Sequence, residues 1–147
     1  MDKKGRVSVP AAFRLILSAG NLPGVAVFPS IFSQSITAFG RDTLDEMSRR
    51  RHARALEHGE FERALIGSPK PDRLHTIFGL VSELNFDPEG RISLPGDLRE
   101  QAGIGEEVVF VGRGPHFEIW APHKLDEATR RELDALRTEA GGEGVPA

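Results

Sequence analysis

Apolar and polar residues alternate with period two in several short stretches, and turn-forming residues bound each stretch. In Arg6-Val-Ser-Val9 the valines occupy every second position, so Val7 and Val9 face one side and Arg6 and Ser8 the other, as in a half-buried strand. Arg91-Ile-Ser-Leu94 repeats the pattern, with Ile92 and Leu94 inward and Arg91 and Ser93 outward. Pro10 and Pro95 end these strands and suit the first position of a helix, where a missing N–H costs nothing. Short helices are predicted to follow and to close near Gly20 and Gly103, with Phe13, Ile16 and Leu17, or Leu98 and Ala102, as their buried stripes. Residues 25–28 with 35–39, and 108–111 with 117–120, read as hairpins, the second turning through Gly112-Arg-Gly-Pro115. A longer helix runs from about Asp42 through Leu44, Met47 and Leu56, and Leu125, Ala128, Leu133 and Leu136 mark its counterpart. The glycine-rich tail from Gly141 to Ala147 is expected to be disordered.

The chain repeats itself. Asp2-Lys-Lys-Gly-Arg-Val-Ser-Val-Pro-Ala-Ala-Phe-Arg14 aligns without gaps on Asp87-Pro-Glu-Gly-Arg-Ile-Ser-Leu-Pro-Gly-Asp-Leu-Arg99. Leu44-Asp-Glu matches Leu125-Asp-Glu at an offset of 81 in place of 85, so the first copy carries four extra residues, placed here in the loop around Pro29 to Gln34. Asp2 and Asp87 open tight turns, and Gly5 and Gly90 supply the backbone angle those turns need. A unit with so few strands cannot bury enough apolar surface alone, so the two copies are expected to share one core. Before Asp87 the segment 80–86 reads as a strand entering the turn, whereas only Met1 precedes Asp2. The first copy is therefore expected to lack its first strand and to leave an open edge.

Charge narrows the function classes. A formal net charge of −3 excludes an overall basic coat, so nucleic-acid contact has to come from local clusters. Lys3, Lys4, Arg6 and Arg14 form one such cluster against a single Asp2. The block Arg49, Arg50, Arg51, His52 and Arg54 reads as a solvated helix face, because Glu57, Glu60 and Glu62 follow it. Zero cysteines exclude disulfides and thiolate metal sites, the five histidines form no helical ligand pair, and neither a nucleophile elbow nor a phosphate-binding loop occurs. The expectation is a cytoplasmic protein that is not an enzyme, with no cofactor, no metal, no membrane association and no small-molecule substrate.

The paired Asp-x-x-Gly-Arg blocks, each leading through an alternating strand into proline and a short helix ending in arginine, resemble the MraZ family, as does Glu118-Ile-Trp120 after a glycine-containing hairpin. The resemblance spans nearly the whole chain. It implies an α+β fold of two tandem AbrB-type swapped-hairpin repeats forming a pseudo-two-fold β-barrel with flanking helices. On that basis residues 1–45 are repeat 1, 46–80 a helical linker, 81–126 repeat 2, and 127–147 a C-terminal helix and tail. It further implies a ring-shaped homo-oligomer at the nucleoid that binds double-stranded DNA at repeated boxes upstream of the division and cell-wall gene cluster, usually as a repressor. Arg6 and Arg91 are then the DNA-contacting residues, with Lys3, Lys4 and Arg14 as supporters.

The chemistry suits that role, since a guanidinium fork matches both major-groove acceptors of guanine and a lysine suits phosphate. A blander reading stands beside it: Asp2 with Arg6, and Asp87 with Arg91, are ion pairs that fix the turns. Pro88 and Glu89 replace the two lysines in the second copy, which leaves Arg91 the weaker candidate. Arg99 is read as covering apolar surface with its stem, and Trp120 as a core or interface anchor. The competing class is an AbrB-like protein-interaction module, an antitoxin or ring scaffold without specific DNA readout.

Overall fold

A computed structural model describes residues 1–18, 23–57, 59 and 73–142. The element order is β1 (Arg6–Ser8), α1 (Ala11–Ser18), β2 (Val25–Pro29), β3 (Ile36–Gly40), α2 (Arg41–Glu57), α3 (Arg73–Leu80), β4 (Ser82–Leu84), β5 (Arg91–Ser93), α4 (Gly96–Gln101), β6 (Val109–Gly112), β7 (Phe117–Trp120) and α5 (Pro122–Gly142). Among the described residues every strand pairing is antiparallel. β1 and β5 form a two-stranded ribbon, and the other five strands form a sheet in the order β4-β2-β3-β7-β6.

The registers carry the internal duplication into space. β3 pairs with β7 through Thr37↔Glu118, flanked by Ile36↔Ile119 and Ala38↔Phe117, so a pseudo-two-fold axis through that pair exchanges the copies. The same axis relates β2 to β6 and, in the ribbon, Val7 to its partner Ile92. Each copy's hairpin thus completes the other's sheet. The alternating residues supply the shared core: Val7, Val9, Ile92 and Leu94 from the ribbon meet Val25, Val27, Ile36, Ala38, Phe117 and Ile119 from the sheet, with Leu17, Leu98 and Ala102 from the short helices.

Several expectations need correction. The described strands make two sheets and not a closed barrel, because β4 and β6 stand at opposite edges and do not pair with each other. The four extra residues of the first copy are divided: the β2–β3 loop is six residues against four between β6 and β7, and the other two lie between β1 and β2. The segment 80–86 is mostly not strand; Leu80 closes α3, and only Ser82–Leu84 pairs, with β2. In α1, Leu17 is buried but Ile16 is exposed, since only one narrow stripe of this helix reaches the core. Leu56, Leu133 and Leu136 are likewise exposed, while Ala55 and Ala128 are buried. Gly141 and Gly142 belong to α5, where a long helix carries its last turn through residues of weak propensity. The remainder of the predicted tail, 143–147, and Gly20 lie outside the described residues.

Candidate nucleic-acid interface

The two Asp-x-x-Gly-Arg segments fold into the same turn, and the aspartate that opens each explains why. Asp2 Oδ1 accepts the backbone N–H groups of Lys4 and Arg6, both at 2.9 Å, and Asp87 Oδ1 accepts those of Glu89 and Arg91 at the same distance. Gly5 and Gly90 take φ of 76° and 77°, the left-handed region that a side chain disfavours. Backbone bonds between Asp2 and Arg6, and between Asp87 and Arg91, close each turn, and Gly5 and Gly90 donate to the aspartate carbonyls. The N–H bonds from Arg6 and Arg91 are the leading reason that the Asp2 and Asp87 carboxyls sit below the usual carboxylate range.

The side chains continue the same pattern. Arg6 Nε donates to Asp2 Oδ2 at 2.6 Å, and Arg91 Nε to Asp87 Oδ2 at 2.7 Å. Beyond that the copies differ. Among the described residues the Nη atoms of Arg6 make no hydrogen bond or ion pair, whereas Arg91 Nη2 lies 3.2 Å from Glu89 and Nη1 lies 3.7 Å from Asp2 of the other copy. Arg91 is therefore ringed by three carboxylates, and its side chain is 25% exposed against 33% for Arg6. The hydrogen bond to Asp87 is the main cause of its raised pKa.

Antiparallel pairing sets Arg6 opposite Ser93 and Arg91 opposite Ser8, so these four residues share the outer face of the ribbon while Val7 and Ile92 lie beneath it. The turns meet across the copies as well. Val9 N–H donates to the carbonyl of Gly90, and Leu94 N–H to that of Gly5. Lys3 and Lys4 are exposed on the first turn.

Arg14 and Arg99 show what sequence reasoning missed. A Cβ placed on Gly90 would lie 2.7 Å from Arg14 Nη1, and one on Gly5 would lie 2.9 Å from Arg99 Cζ. Each short helix thus lays its arginine against the other copy's turn. The only trace of this in the sequence is that both aligned blocks end in arginine, and nothing local says that the partner is the opposite turn. Glu106 and Glu107 were also missed; with Arg6, Arg91 and β6 they line a groove of about 630 Å³. Trp120 is buried, as expected of an anchor, and its Nε1–H donates to Glu118 at 3.1 Å. Among the described residues no cluster of three or more potential metal ligands occurs, and no described helix is long and apolar enough to cross a membrane.

The chain is 38% identical over 142 residues to a protein of Rhodospirillum rubrum named "Transcriptional regulator MraZ", covering 97% of this chain and 87% of that protein. The chain belongs to the MraZ family. Proteins of the same name from Rickettsia bellii and Parvibaculum lavamentivorans are 39% and 40% identical, over 86% and 83% of this chain and 79% and 71% of theirs. A family model described as "MraZ protein, putative antitoxin-like" matches residues 77–141. For a member of the MraZ family, these residues hold the second Asp-x-x-Gly-Arg turn and the β6–β7 hairpin.

Proposed function

We propose that this chain is a sequence-specific, DNA-binding transcriptional regulator that reads bases with Arg6 on the outer face of the β1–β5 ribbon. The observation that carries the reading is the placement of Arg6: a guanidinium held through Nε on a stiff strand, with its Nη atoms uncommitted among the described residues and two exposed lysines beside it. A clamped Nε limits rotamer loss on binding, so the ion pair that fixes the turn also pre-organises the reader. Lys3 and Lys4 supply phosphate contacts that are blind to sequence. Arg91 serves mainly to hold the second turn, and Arg14, lying against Gly90, brings positive charge to that acidic turn.

The names of the relatives support transcriptional regulation. In this reading the protein works at the nucleoid as a repressor of repeated boxes upstream of a division and cell-wall gene cluster, and several copies assemble into a ring built on the swapped-hairpin repeats. The apolar residues Ile31, Phe32, Leu133 and Leu136, all exposed, are the surface on which such self-association would rest. A ring repeats a weak single contact and binds spaced boxes with avidity.

The test is nuclease footprinting on the DNA upstream of the protein's own gene, with the mass of the protein measured in solution. Regularly spaced protected boxes are the expected result. An unprotected fragment at concentrations where the protein is a folded oligomer would overturn the regulator reading and favour an interaction module.

A further inference from the structure

The two turns differ in charge far more than in shape. Both guanidinium groups are tied through Nε to the aspartate that opens the turn, at 2.6 and 2.7 Å, and both stand on the outer face of the ribbon, opposite Ser93 and Ser8. The backbone gives the copies no reason to act differently. Where the first turn has Lys3 and Lys4, the second has Pro88 and Glu89. Residues 2–6 therefore carry three cations and one carboxylate, whereas residues 87–91 carry one cation and two carboxylates.

We infer that Glu89 is a specificity-determining residue, which keeps Arg91 off the DNA bases so that one turn of the pair reads sequence. This role rests on the reading of Arg6 as the base reader and names what silences its twin. The contact is made at the atoms a base would need. Glu89 lies 3.2 Å from Arg91 Nη2, and Asp2 of the other copy lies 3.7 Å from Nη1, so carboxylates face both ends of the fork that a guanine edge requires. Arg6 is different: its ion pair among the described residues is with Asp2, through Nε. The Glu89–Arg91 pair is a weak restraint by itself, since the Glu89 side chain is 71% exposed. Repulsion supplies the rest. For Arg91 to enter the major groove, Glu89 would travel with it, two residues away on the same turn, into the field of the phosphates, and like charge opposes that approach. Arg14, exposed and laid against Gly90, offsets part of this charge and suits a phosphate contact. The second turn then steadies the ribbon on the DNA backbone while the first reads bases.

The experiment selects bound duplexes from a randomised DNA pool with the original chain, Glu89→Gln, Arg91→Ala and the double variant, and then measures affinities for the selected sequences. Glu89→Gln should melt like the original, because the side chain is exposed and the turn keeps its backbone bonds. It should select the original sequence plus one further guanine, preferred about 5- to 150-fold over other bases, the worth of one bidentate contact. The double variant should lose that guanine. Glu89→Lys, which gives the second turn a charge nearer the first, should select the same guanine and steepen the dependence of binding on salt. If Glu89→Gln and Glu89→Lys select only what the original selects, or if the added guanine survives Arg91→Ala, Glu89 does not restrain Arg91 and the inference is overturned while Arg6 stands as reader. An original chain that selects no sequence at all would remove the regulator reading and this role together.

Discussion

Replacing Gly5 and Gly90 by alanine, one at a time, tests the cross-copy clamp, because the backbone strain is the same and the surroundings differ. Both glycines are left-handed, at φ 76° and 77°, and an alanine there costs about 1–2 kcal/mol. At Gly5 the new Cβ would lie 2.9 Å from Arg99 Cζ and 3.1 Å from its Nε, which donates to the Leu94 carbonyl at 3.1 Å. Displacing that guanidinium sacrifices a charged hydrogen bond of about 1.5–3 kcal/mol, partly restored by water. At Gly90 the crowded group is Arg14, which is exposed and makes no side-chain hydrogen bond among the described residues, so it swings aside at little cost. Gly5→Ala should therefore destabilise by roughly 2–4 kcal/mol and Gly90→Ala by about 1–2 kcal/mol. Denaturant unfolding, followed by the single Trp120 at fixed protein concentration, measures both. Equal losses, or a larger loss at Gly90, would refute the assignment of Arg99 as the anchored clamp.

Three further outcomes follow from the same geometry. Ile92→Ala should cost about 2–5 kcal/mol in that unfolding assay, whereas Ser93→Ala, one residue on and facing out, should change stability by less than about 0.5 kcal/mol. Asp2 and Asp87 have folded pKa values below the ordinary one, so the stability they confer is complete above about pH 4 and is lost as pH falls through the lowered folded values. A chain with both changed to asparagine should accordingly be less stable than the original at neutral pH, and the gap should shrink in acid; a constant gap contradicts the turn assignment. Changing Lys3 and Lys4 to alanine should reduce the slope of log K against log salt by about one for each lysine, with no change in box preference.

The local features were legible because they are set within a few residues. The period-two alternation at Val7/Val9 and Ile92/Leu94, the glycines after each aspartate, and the prolines that open helices all depend on near neighbours. The duplication itself was equally open, since thirteen aligned positions need no structure to be seen. What stayed hidden is long-range. The alternation at Ile36 and Phe117 says that each strand has a buried face but not that β3 and β7 pair across the copies. Ile16 matched the helical stripe of Leu17, yet the core reaches only one of them. The site divides in the same way: the Asp2–Arg6 and Asp87–Arg91 pairs were readable from spacing, while Arg14 against Gly90 and Asp2 beside Arg91 depend on how the copies meet.

The most direct test of Arg6 as the base reader is a ratio of affinities. Binding of a boxed promoter fragment and of the same fragment with its boxes scrambled would be measured at one salt concentration for the original chain, Arg6→Ala and Arg91→Ala. Loss of one bidentate base contact should lower the ratio about 5- to 150-fold for Arg6→Ala, with a smaller fall for Arg91→Ala. An Arg6→Ala chain that stays folded and keeps its full preference for the boxes would contradict the account.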